Sequence, residues 1–209
     1  MRPRAVFAAI AVSGVLAAIL WWCCHPRLIV YVDPSMLSEL DLSAYRRAFH
    51  QAGVVRLTVV SRLPEGRSLG DLPHGVAIEV VNRSGRNPLL DAESLALGLT
   101  GPGHTQDRTA VVYPEEIDAF LKKYRDTYAR AGSQDWGEVR TRLVTNTAVH
   151  ESWHAITRSH SHNPRDKDSV MFIDPGKACV EFGTQNLRFT LGHRDRLQEI
   201  FAPAWSYLF

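Results

Sequence analysis

His150-Glu151-Ser152-Trp153-His154-Ala155-Ile156-Thr157-Arg158-Ser159-His160 is the stretch whose reading decides the fold and the chemistry of this chain. On a helix, His150 and His154 stand four residues apart and project from one face. Two imidazoles so placed can grip one zinc ion, and the Glu between them can reach a water at that ion. His160 follows six residues after the second His, a spacing that closes a three-His site and leaves a fourth position open. That is the ligand set of a hydrolytic zinc rather than a structural one. The spacing speaks for one zinc ion and says nothing of calcium.

Outward from this stretch, strand and helix signals alternate. Leu28–Val32 is a short β-branched run closed by Asp33-Pro34. Asp41 or Ser43 is positioned to cap a helix through about Ala52, ended by Gly53. Val54–Val60 and Val76–Val81 read as strands, as do Leu95–Thr100 and Thr109–Tyr113. Glu115-Glu116 opens a helix to about Arg130, where acidic residues suit the N-terminus. Residues 132–137 read as a linker, and a long helical pattern from Glu138 to about Thr157 carries the two-His pentad. After Asn163-Pro164 the chain turns irregular until a last helix over Asp195–Phe201. The expected fold is α/β (α+β): a mixed twisted sheet, the helix bearing the site, and a loop-rich C-terminal part.

Residues 1–26 are of another kind. Arg2 and Arg4 precede an uncharged run from Ala5 to Cys24, long enough as a helix to match a bilayer's hydrocarbon core at about 30 Å. A cleaved signal peptide has a shorter apolar core and a small-residue cleavage site; this run is long and ends in Trp21-Trp22-Cys23-Cys24. Tryptophans suit a membrane interface. The expectation is a membrane anchor through residues 5–24, or a signal peptide, with residues 27–209 as one exported domain. That domain faces the cell envelope, or is secreted if the N-terminus is removed. With Cys23 and Cys24 in the apolar run, Cys179 is left alone, so no internal disulfide framework can form and the core must hold the domain. The rest of the composition is ordinary: 45% hydrophobic, 22% charged, net charge +2 with the signs mixed along the chain. No nucleic-acid footprint is visible.

The segment HESWHAITRSHSHNPRDKDSVMF resembles the metzincin zinc endopeptidases, whose motif H-E-x-x-H-x-x-G-x-x-H is followed by a Met-containing turn. Within them it is most similar to the matrixins, through His160-Ser161-His162-Asn163-Pro164 and Val170-Met171-Phe172. The resemblance covers about 25 residues. It implies a metzincin-like zinc peptidase domain acting on polypeptide. It assigns metal ligation to His150, His154 and His160, general base and then general acid to Glu151, and a non-ligating hydrophobic floor to Met171. Two residues depart from the motif. Thr157 stands in place of the glycine that lets the chain leave the helix left-handed, a conformation a β-branched residue resists. Trp153 stands where matrixins usually have Gly.

Other residues compete for these roles. His162 is an alternative third ligand, and Glu181 would serve in a two-His, one-Glu site if it lay on a second helix. His193 and Asp195 read as the start of the last helix, Asp168 as a turn former, Cys179 as a buried free thiol. The functional expectation is an exported zinc-dependent endopeptidase. Its alternative is an envelope interaction module with a structural zinc on the same fold, motivated by Thr157. A chance pentad in a domain that binds no metal is the third reading.

Overall fold

The computed structural model describes residues 3–66, 69–72, 74–84, 98–99, 108–128, 135–172 and 188–203. The expected β-branched runs form strands: β1 (Arg27–Val32), β2 (Arg56–Val60), β4 (Gly75–Asn82) and β6 (Thr109–Val112). Two short strands join them, β3 (Gly70–Leu72) and β5 (Gly98–Leu99). Among the described residues the helices are α1 (Pro3–Cys24), α2 (Pro34–Leu37), α3 (Leu42–Gln51), α4 (Pro114–Tyr128), α5 (Trp136–Thr157) and α6 (Leu191–Ile200).

The sheet runs β2-β1-β4-β6-β5 and is mixed. β1 pairs parallel with β2 and β4, and β4 pairs parallel with β6. β3 lies antiparallel on the first half of β4, leaving the second half of that edge to β6. β5 is the antiparallel edge strand beyond β6, consistent with the strand expected over Leu95–Thr100; residues 95–97 and 100 lie outside the described residues. Close backbone approach fixes one glycine. Gly75 has φ +142°, and a Cβ there would lie 1.9 Å from the Arg27 carbonyl oxygen.

Capping explains the helix starts. The Asp41 side chain accepts from Ala44 N at 2.9 Å to open α3, and Asp135 accepts from Gly137 N and Glu138 N to open α5. Asp135 therefore starts α5 inside the segment expected as a linker. The last helix starts at Leu191, four residues before its expected start, with Thr190 at the N-cap. Leu28, Val30, Ile78, Val80, Ala110 and Val112 of the sheet and Leu143, Val149, Trp153 and Ile156 of α5 are almost fully buried in one core. α5 is sunk deep enough that nearly every residue from Leu143 to Thr157 is buried. Polar residues on that helix therefore need partners inside the protein.

At the other end of the chain α1 stands out from the sheet. From Val12 onward its large apolar side chains are exposed. Among the described residues, no helix is long and apolar enough to cross a membrane; the side chains of residues 3–11 are outside that description.

Candidate metal centre

The site is built on the last two turns of α5, where His150 and His154 are 5% and 3% exposed. The four-residue spacing brings their Nε2 atoms to 3.0 Å of each other. The third ring is that of His162, with its Nε2 at 3.1 Å from His150 Nε2 and 3.2 Å from His154 Nε2. Among the described residues, His150, His154 and His162 form a group that could hold a metal ion. His160, the third ligand expected from the spacing, is exposed, with its ring centroid 6.1 Å from that of His154 and outside the nitrogen triangle.

The reason for the displacement lies at the helix end. Thr157 remains helical, its hydroxyl donating to Trp153 O at 2.9 Å. The left-handed residue is Arg158, at φ 53° and ψ 32°, with its N–H on His154 O at 2.8 Å. The chain thus leaves the helix one residue later than the motif's glycine would release it. The ring that returns to the pair then comes from His162, twelve residues after His150 rather than ten.

Each ring is oriented by a carbonyl. His150 Nδ1 lies 2.8 Å from Val170 O, and His154 Nδ1 lies 2.5 Å from Ser159 O. A carbonyl only accepts, so both Nδ1 atoms carry the proton and both Nε2 atoms are lone-pair acceptors. The His162 ring hydrogen-bonds the His160 backbone. Burial, and then the neighbouring His154, lowers His150 to about 3. Burial lowers His154 to about 4, opposed by its bond to Ser159. Burial also lowers His162. The His150 and His154 rings are therefore neutral at pH 7, and their two Nε2 lone pairs face each other at 3.0 Å with His162 Nε2 beside both. A cation relieves that repulsion. Tetrahedral zinc with Zn–N of about 2.0–2.1 Å sets its nitrogens about 3.3 Å apart, close to the triangle found. The residues present fit such an ion.

Glu151, on the same turn, is 7% exposed. Its charge acts on Tyr113, at the end of β6, whose phenol is pushed up by burial, with the nearby Arg83 opposing and Glu151 adding. The Glu151 carboxylate thus lies within electrostatic reach of the end of β6.

Residues 163–172 lie beneath. Asn163 N donates to Met171 O at 2.8 Å, and Val170 N to Arg188 O at 2.9 Å. Met171 is fully buried, adjacent in the chain to the Val170 carbonyl that holds His150. Asp168 is exposed near the Arg188 guanidinium, at 3.3 Å. Cys179 and Glu181 lie outside the described residues.

Three supports were not read from the sequence. Trp153, at the departure from matrixins, is 1% exposed and donates its indole N–H to His193 O at 3.0 Å. His193 sits in α6, as the sequence suggests for it and Asp195, but it also faces the site. Its Nε2 approaches Ser161 O at 3.4 Å while Thr190 Oγ1 lies 2.6 Å from its Nδ1. If Nε2 donates to the carbonyl, Nδ1 accepts from the threonine, and the ring braces the residue before His162. Arg108, 5% exposed, donates to the carbonyls of Ala155 and Ile156 at the end of α5 and pairs with Asp71 of β3. A cation at a helix C-terminus is favourable, and this one satisfies carbonyls that the helix itself leaves open. Behind the site, Tyr45 of α3 donates to Ser152 Oγ at 2.7 Å.

No family model, no curated protein and no solved structure matches this chain.

Proposed function

We propose that the chain is a zinc-dependent endopeptidase held at a membrane by α1, its domain facing away from the cytoplasm. The observation that carries the reading is the convergence of the His150, His154 and His162 Nε2 atoms on the helix that also bears Glu151. A zinc ion there would supply Lewis acidity and make water nucleophilic near neutral pH. Glu151 takes the proton from water as the oxygen adds to the peptide carbonyl carbon. It returns that proton to the amine nitrogen as the C–N bond breaks, leaving a carboxylic acid and an amine. Met171 would supply an apolar floor, and β5, at the end of the strand order among the described residues, would pair with an extended polypeptide.

The test is a peptide-library digest by the zinc-loaded full chain and its Glu151→Ala variant. The expected result is cleavage by the parent, a loss of at least about 100-fold in the variant, and equal zinc in both. Cleavage retained without Glu151 contradicts the mechanism. Zinc bound with no hydrolysis by either protein would favour a non-catalytic module on this fold.

A further inference from the structure

The foot of α1 meets the sheet without a flexible linker, only His25 and Pro26 separating Cys24 from Arg27. The His25 ring packs on Trp21 at 4.2 Å, with its Nδ1 2.6 Å from Trp21 O. Arg56 lies over the Trp22 ring at 5.6 Å and donates through Nη1 to His25 O at 2.9 Å and Cys23 O at 3.4 Å. The C-terminal carbonyls of α1 are thereby tied to β2.

The sheet register then gathers basic groups at that foot. Arg27 stands opposite Arg56 in β2 and Gly75 in β4, and its N–H donates to His74 O at 2.9 Å. Arg27, Arg56 and His74, with Cys23 and Leu72, line a cavity of about 180 Å³. No carboxylate lines it, and neither arginine forms an ion pair among the described residues. Directly above, Val15, Leu16, Ile19, Leu20, Trp21 and Trp22 of α1 are 46–61% exposed. Apolar helix, interfacial tryptophans and a basic hollow follow one another along the axis, in the order of a bilayer's acyl, interfacial and headgroup layers.

We infer that this cavity binds the headgroup phosphate of an anionic phospholipid, which rests on reading α1 as a membrane anchor. Guanidinium groups make charge-assisted bonds to phosphate oxygens. Arg56 bonds the Cys23 and His25 carbonyls, and the exposed Arg27 and His74 side chains have no ion pair among the described residues to hold them from the lipid. A lipid is favoured over a soluble anion because the lining includes Cys23 and Leu72 and adjoins the exposed tryptophans.

The full chain is reconstituted in vesicles of equal phosphatidylcholine and phosphatidylglycerol, washed with alkaline carbonate, released in mild detergent and weighed by native mass spectrometry. The expected result is retention through the wash and phosphatidylglycerol adducts exceeding phosphatidylcholine adducts at least about five-fold. In the doubly substituted Arg27→Gln, His74→Gln chain that ratio should fall to near one. Both positions are exposed, so the fold is spared. Retention with equal adducts, or a ratio unchanged in the variant, overturns the headgroup site alone. Release by the wash overturns the anchor and the site together.

Discussion

Three neutral rings facing one another cost energy at His150, His154 and His162, and that cost makes the site sensitive to pH. His150 near 3 and His154 near 4 lie below the ordinary 6.5 because burial disfavours their charged forms. Above 6.5 neither the folded nor the unfolded chain binds protons at these rings, so they add no pH dependence there. Below 6.5 the unfolded chain takes up protons that the folded one refuses, and stability falls with acidification. The metal-free protein should show a melting temperature that declines from pH 6.5 toward pH 4; a flat profile would contradict the buried neutral rings. Thr190→Val removes the hydroxyl that holds His193, and with it the brace on Ser161 beside His162. Zinc affinity, read by competition with a chelator, should fall about 10-fold; unchanged affinity would mean that His193 is only a core residue. That the His150 and His154 rings meet was legible, because a helix repeats and their spacing follows from it. His160 was misleading because the third ligand depends on where the helix ends. The signal was present in Thr157: a β-branched residue does not take the left-handed exit, so the return is delayed and a later histidine is favoured.

At the level of elements, the end of α5 sets the position of the third ligand, and two arginines hold that end. Arg108 is buried against the Ala155 and Ile156 carbonyls, and burial lowers its pKa while Asp71 opposes the shift. Arg108→Met should destabilise the fold by about 2 kcal/mol, because the Ala155 and Ile156 carbonyls lose a charged donor while Asp71 keeps Arg158. Urea denaturation with an unchanged m-value checks it, and a loss below about 0.5 kcal/mol, the range of an ordinary surface substitution, would contradict the capping role. Arg158 carries a left-handed backbone that glycine adopts without a Cβ penalty, so Arg158→Gly should stabilise by about 0.5–1 kcal/mol. Thr157→Gly should instead destabilise by about 1 kcal/mol, since residue 157 is still helical. The opposite ordering in thermal melts would put the exit where the metzincin motif has it. β1, β2, β4 and β6 were readable to within about two residues because each is a run rich in β-branched residues bounded by glycine, proline or a polar residue. β3 was not: Gly70-Asp71-Leu72 has no β-branched residue, and it is a strand only because the first half of β4 offers it an open edge.

Across the whole molecule, one sheet joins the histidine cluster to the foot of α1, which the sequence places far apart. α5 packs against β6 and β4 and carries two of the three rings, while β2 of the same sheet bonds the foot of α1 through Arg56. The mixed α/β character was legible from the alternation of periods along the chain. The order β2-β1-β4-β6-β5 was not, because strand order depends on pairings between residues distant in sequence. The central claim is that His150, His154 and His162 hold a catalytic zinc. Zinc K-edge absorption on the full chain, beside His162→Ala and His160→Ala, tests it most directly. The account predicts one zinc with three nitrogen neighbours at about 2.0–2.1 Å and an oxygen completing the shell. One nitrogen should be lost in His162→Ala and none in His160→Ala. Absence of stoichiometric zinc, or a nitrogen shell that survives His162→Ala and loses a neighbour in His160→Ala, would contradict it.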